Sequence, residues 1–169
     1  MNSLYKILSF LLLPIGLLFG MITLMGIFMA FSNTAMLLTV FMAAATTLYI
    51  FLGFIFSQKG IMQKQPLSKR FKDWLKANSF VALVFAGLGL LQTTTLLLKP
   101  EMKASLMEQF ASMPQTAAIT EAQVESVMQT VIILMGLVFT MLLAHVILTF
   151  RLLKTHSHLF EKQQDGPSY

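Results

Sequence analysis

The chain has 169 residues, 56% of them hydrophobic and 11% charged, with a formal net charge of +5 and no cysteine. A soluble domain carries about 25% charged residues, and less than half that share cannot cover a globule with solvated groups, so lipid is the expected solvent. The length suits one compact bundle without a second domain, and the missing cysteines exclude disulfides, thiolate metal sites and a cysteine nucleophile.

From Ile7 to Gln58 the chain holds no Asp, Glu, Lys, Arg or His. One helix of that length would measure ~78 Å, far beyond a ~30 Å hydrocarbon core, so the run must fold back. The polar break at Ser32-Asn33-Thr34, with its turn-forming Asn, divides it into two spans, 7–30 and 35–57. The first apolar run, ~24 residues, exceeds the 7–15 of a signal-peptide core and is read as a retained span, with an intact mass to decide against cleavage. Pro14 predicts a kink in this span. Gly16 and Gly20 form a GxxxG pair that lets another helix approach closely. The second span offers Ala43-Ala44-Ala45 and Gly53 for similar packing.

The loop 58–76 carries Lys59, Lys64, Lys69, Arg70, Lys72 and Lys76 against Asp73 alone. Such a cluster resists translocation and marks the cytoplasmic side. Within it Leu67, Phe71 and Trp74-Leu75 recur at helical spacing. That pattern predicts a short amphipathic helix along the lipid interface, with Lys69, Arg70, Lys72, Trp74 and Lys76 as anchors to anionic headgroups. A single tryptophan without a stacking series does not suit nucleic acid.

A third span is expected over 77–98, ending at Lys99-Pro100, and a fourth over 127–150, ending at Arg151 and a tail 151–169. In the connection 99–126, Met102, Leu106, Phe110 and Met113 repeat at helical spacing, which predicts a second short amphipathic helix broken by Pro114. Thr120 and Gln123 fit a capping box that starts the fourth helix near Glu121. With four spans, ten of the twelve Lys and Arg share one side with both termini. Lys99 and Lys103 alone face the other, beside Glu101, Glu108, Glu121 and Glu125. The expected fold is therefore all-α: a single four-transmembrane-helix bundle of two antiparallel hairpins, with short interfacial helices and both termini cytoplasmic. The absence of an Asn-x-Ser/Thr sequon fits a bacterial inner membrane.

No Asp, Glu, Lys or Arg falls inside the four spans. Ion-coupled transporters need an intramembrane ionisable group, so that class is disfavoured. The titratable exception is His145, which has no second His or acid in the spans to complete a metal site. Gln92, Thr93 and Thr94 near the outer end of the third span, and Gln129 and Thr130 near the outer start of the fourth, form a possible polar intramembrane site. Gly136, Thr140 and Ala144 make a small-residue stripe for helix packing. His156 and His158 read as a solvated tail. No nucleophile elbow, HExxH or phosphate-binding glycine loop is present, and no cofactor is implied.

These features favour a non-enzymatic accessory, scaffold or assembly subunit that packs against other membrane subunits or its own copies. An alternative is an oligomeric channel or carrier for a small neutral or apolar solute. A second alternative is an enzyme on a lipid or quinone, with His145 as base.

Overall fold

The computed structural model describes residues 2–111 and 120–160. Among the described residues every regular element is helical. Helix α1 spans Asn2–Ser32, α2 Leu37–Ile55, α3 Lys69–Leu98, α4 Pro100–Ala111 and α5 Glu121–Thr155. A 3-10 turn at Thr34–Met36 leads into α2, a π-helical stretch at Phe56–Met62 follows it, and a 3-10 turn at Ser157–Phe160 follows α5. Four stretches are long and apolar enough to cross a membrane: Ser3–Ser32, Thr34–Met62, Lys69–Leu98 and Ala122–Thr155.

The polar break after α1 is a single residue wide. Asn33 is extended (φ −139°, ψ 97°), and its Oδ1 accepts from the Ala35 N–H at 3.1 Å. This side-chain bond replaces a helical backbone bond and lets the chain turn at once. Pro14 lies inside α1 without ending it. The glycines of α1 face α2: a Cβ on Gly16 would stand 2.7 Å from Ile50 Cγ2, one on Gly20 3.4 Å from Thr47 Cγ2, and one on Gly26 3.0 Å from Val40 Cγ2. The GxxxG pair is thus used within the chain.

The amphipathic stretch ending at Lys76 requires a correction. It is not a separate interfacial helix but the opening turns of α3, which runs unbroken from Lys69 into the apolar span. No glycine or proline interrupts the chain between Lys69 and Val84, so nothing stops the helix at Lys76. Ser68 supplies the start, its Oγ accepting from the Phe71 N–H at 3.2 Å. Upstream, helical structure continues to Met62, so Lys59 is on the helix rather than in the loop. Lys64 then takes φ 52°, the left-handed conformation with which helices commonly end. The loop is pinned to the chain beyond α5. Leu67 N–H donates to Leu159 O at 2.9 Å, Phe160 stacks on Phe56 at 6.0 Å, and the Lys72 ammonium lies 5.3 Å from the centre of the Phe160 ring.

Pro100 ends α3 by opening α4, where its missing N–H is no loss. Helix α5 begins at Glu121, and Gln123 reaches back as the capping box predicts: its Oε1 accepts from the Thr120 N–H at 3.1 Å and hydroxyl at 3.0 Å. The Met113 position of the α4 repeat, the break at Pro114 and the tail 161–169 with Lys162 lie outside the described residues.

The chain divides into two compact units, Met1–Phe85 with Met141–Tyr169, and Ala86–Thr140. In the first, Leu12, Ile50, Leu75, Leu142 and Leu152 are buried, and edge-on ring pairs join Phe19 to Phe85 at 6.2 Å. In the second, Phe139 fills the space left by Gly89, where a Cβ would overlap the Phe139 ring.

Candidate functional site

Among the described residues, two of the places that collect polar groups bear on function. The first surrounds His145, which is completely buried, as are Tyr5, Tyr49 and Thr149, with Ser9 2% exposed. Three helices supply the cluster, each through a pair of residues four apart that therefore share a face: Tyr5 and Ser9 on α1, Tyr49 and Gly53 on α2, His145 and Thr149 on α5. Ser9 Oγ lies 2.8 Å from His145 Nε2, and Tyr49 Oη 2.6 Å from Nδ1. Thr149 Oγ1 lies 2.8 Å from Tyr49 Oη and 3.2 Å from Tyr5 Oη. Tyr5 stacks on the imidazole at 4.5 Å with 5° between planes, and its hydroxyl donates to Gly53 O at 3.3 Å. Gly53 is required here, since a Cβ would meet His145 Cε1 at 2.9 Å.

The protons can be placed without leaving a group unsatisfied. Ser9 Oγ also donates to Tyr5 O at 2.8 Å. It then accepts from His145 Nε2–H, which leaves Nδ1 to accept from the Tyr49 hydroxyl. A neutral imidazole thus binds with both nitrogens, and each bond is worth about 0.5–1.5 kcal/mol. A general base needs an open nitrogen within reach of a substrate proton. His145 offers none, so the arrangement acts as a clamp on α1, α2 and α5. One residue of this face is left over: Ser57 Oγ is buried and makes no hydrogen bond, one turn beyond Gly53.

The second place is a cavity of about 450 Å³ in the unit Ala86–Thr140. Its wall is Gly89, Gln92, Thr93 and Leu96 on α3, Leu106 on α4, and one face of α5 from Gln123 to Phe139. Among the described residues that line it none carries a charge. Volumes of roughly 300–1,000 Å³ with an apolar wall and a few polar groups are usual for small-molecule sites. The Lys103 ammonium pairs with Glu125 at 2.8 Å, tying α4 to α5 and neutralising both charges. The Thr93 hydroxyl is used by its own helix, donating to Gly89 O and Leu90 O at 2.9 and 3.1 Å.

The residues singled out in the sequence fall on several surfaces. Gln92, itself exposed, and the buried Thr93 line the cavity, whereas the exposed Thr94, Gln129 and Thr130 do not. Thr93 stands at the level of Gly136, its Oγ1 3.7 Å from where a Cβ there would be, rather than at the level of Gln129 and Thr130. The bulk of Phe139 against Gly89, one turn away on both helices, sets this register. The hydroxyls of Thr130 and Thr140 donate to Ser126 O and Gly136 O within α5, and Ala144 is half-buried. Lys69, Arg70, Trp74 and Lys76 are exposed on the first turns of α3, and Lys72 is half-buried against Phe160.

Tyr5, Ser9, Tyr49 and Thr149 were not legible as partners of His145. A signal was present, because polar residues four apart in otherwise apolar helices mark a face that needs partners. Gln123 was read as a cap and is also part of the cavity wall. Comparison with family models, with curated proteins and with solved structures gives no match for this chain.

Proposed function

We propose that the protein is a non-enzymatic membrane protein that takes up a small neutral, mainly apolar solute in the cavity between α3, α4 and α5. In this reading the four long helices form two antiparallel hairpins across a bacterial inner membrane, with the basic loop and both termini cytoplasmic. The pairing of Gly16 with Ile50 and of Gly26 with Val40 supports the first hairpin, and the ten-to-two division of cations supports the orientation. The many large apolar side chains left exposed, among them Phe10, Phe28, Leu91 and Leu137, suit lipid contact.

The observation that carries the solute-binding reading is the cavity of about 450 Å³, whose described lining residues are all uncharged. It is tested with the full-length protein in nanodiscs, photolabelled by a diazirine-bearing C16 alkyl probe. Labelling at Met128 and Met135 that saturates, and that Leu96→Trp abolishes by filling the cavity, is expected. Labelling that rises without saturation there, as at lipid-facing Leu137, refutes the reading.

An accessory or scaffold role keeps one specific support. Gly87 is exposed on α3 with nothing within 4 Å of a Cβ, so a helix of another subunit can approach closely there. Gly16, Gly20 and Gly136 already face side chains of this chain. Gly87→Leu leaves a monomer unaffected and breaks such a contact, which crosslinking in native membranes detects. The enzyme alternative is the weakest of the three, because His145 is sealed.

A further inference from the structure

Hydroxyls on the long helices of this chain share one habit. Those of Ser9, Thr46, Ser79, Thr140 and Thr149 each donate to the carbonyl four residues back. Ser57 is buried and does not. The carbonyl four residues before it is Gly53 O, which already accepts the Phe56 N–H and the Tyr5 hydroxyl. A carbonyl oxygen has two lone pairs, so Ser57 finds its acceptor taken by a side chain from α1. A buried hydroxyl left without a partner is costly.

Tyr5 depends less on that carbonyl than Ser57 does. Its bond to Gly53 O is 3.3 Å long, and Thr149 Oγ1 lies 3.2 Å from the same hydroxyl. Tyr5 keeps a partner whether or not it holds Gly53, whereas Ser57 gains one only when Tyr5 lets go. Hydrogen bonding alone therefore favours the exchange, and packing must oppose it.

That packing is found at the end of α2. From Phe56 to Met62 the backbone is π-helical, with Gln63 N–H reaching five residues back to Gln58 O at 3.1 Å. Such geometry is rare and recurs at functional sites. Here it is gripped from beyond α5. Phe160 stacks on Phe56 at 6.0 Å, and Leu159 O accepts the Leu67 N–H at 2.9 Å. Leu67 and Phe56 both close on Gly60, where a Cβ would stand 3.1 Å from Leu67 Cδ1 and 3.0 Å from Phe56 Cδ2. Phe56 also meets the Tyr5 ring edge-on at 6.2 Å. The turn Ser157–Phe160 thus bears on the π-helical stretch at Phe56 and at Gly60, and through Phe56 on Tyr5.

We infer that the end of α2 is a two-state switch, in which Tyr5 and Ser57 exchange as donors to Gly53 O and the turn Ser157–Phe160 is the strap that selects between them. With the strap seated, the stretch is π-helical and Tyr5 holds the carbonyl. With the strap lifted, the stretch rewinds as α-helix and Ser57 takes its place. Rewinding by one residue turns the chain beyond by about 100° and moves a Cα there by about 4 Å. Displacement of Phe160 is then felt inside the bundle, because Tyr5 stacks on the His145 imidazole at 4.5 Å. The switch stands apart from the solute-binding reading and is tested without it.

The test uses the full-length protein in nanodiscs, spin-labelled at Lys59→Cys and Lys76→Cys, both exposed positions in a chain without cysteine. Pulsed dipolar spectroscopy is expected to give one distance in this background. Phe160→Ala should add a second, displaced by about 4 Å, and Phe160→Leu, which keeps apolar bulk, the same second distance in smaller share. Adding Ser57→Ala to either variant removes the competing donor and should lower that share about fivefold, the worth of one hydrogen bond. Adding Tyr5→Phe frees Gly53 O and should raise it. Absence of a second distance in both Phe160 variants overturns the proposal. A simple loosening of the helix end gives a broadened distance indifferent to Ser57→Ala, and that result overturns it as well.

Discussion

Replacing Gly53 by alanine adds one methyl group where an imidazole edge already lies. The new Cβ would stand 2.9 Å from His145 Cε1 and 3.5 Å from Tyr5 Oη. The ring cannot swing aside freely. Its two nitrogens are held at 2.8 Å by Ser9 and 2.6 Å by Tyr49, and Tyr5 stacks on its face at 4.5 Å. Relief therefore requires helix α2 to move away from α5, or the ring to give up part of a bond. Overpacking of this kind costs about 1–3 kcal/mol, and a weakened hydrogen bond adds roughly 0.5–1 kcal/mol. Against this, alanine is better than glycine inside a helix by about 1 kcal/mol. The net expectation is destabilisation by about 0.5–3 kcal/mol. Gly87→Ala is the internal control: nothing lies within 4 Å of its Cβ, so only the gain of about 1 kcal/mol remains. Reversible unfolding in mixed micelles by SDS titration measures both. Gly53→Ala should shift the midpoint down and Gly87→Ala slightly up. If the two variants move together, the sealed clamp around His145 is wrong.

Three further outcomes follow from the same geometry. Tyr49→Phe removes the hydroxyl that reaches both His145 and Thr149, so it should destabilise by about 1–2 kcal/mol in the same assay. Tyr5→Phe gives up a longer 3.3 Å bond to Gly53 O and should lose less; the reverse order contradicts the proton placement. Ser57→Ala removes a buried hydroxyl that makes no hydrogen bond, and should raise stability by about 1 kcal/mol, with a fall in the unfolding midpoint counting against the cluster as described. The chain has no cysteine, so single substitutions report sidedness directly. Met107→Cys should react with a membrane-impermeant maleimide from outside intact cells and Lys64→Cys only after lysis, and the opposite pattern inverts the proposed topology.

The helices themselves were largely legible in the sequence. The uncharged run to Gln58 must turn, Asn33 is the residue able to turn it, and α5 begins at Glu121 where Thr120 and Gln123 predict. The reading failed where a local pattern had two outcomes. Amphipathic spacing up to Lys76 is the same whether the segment lies along an interface or opens a longer helix, and continuity into the apolar span decided for the latter. It failed again for Gln129 and Thr130, because matching levels on two helices requires the register, and register depends on which side chain fills which gap.

By itself the order of amino acids determined that this chain makes long apolar helices, where they turn, and that its positive groups gather outside their apolar cores. Those properties follow from local preference and from the high cost of an unbonded backbone or a charge away from water. Only the tertiary structure decided that His145 is closed off by Tyr49, Ser9 and Thr149, and that Gln92 shares a cavity with Gln123. Which polar groups meet depends on how helices are rotated and offset against one another, a matter of close packing between side chains far apart in the chain.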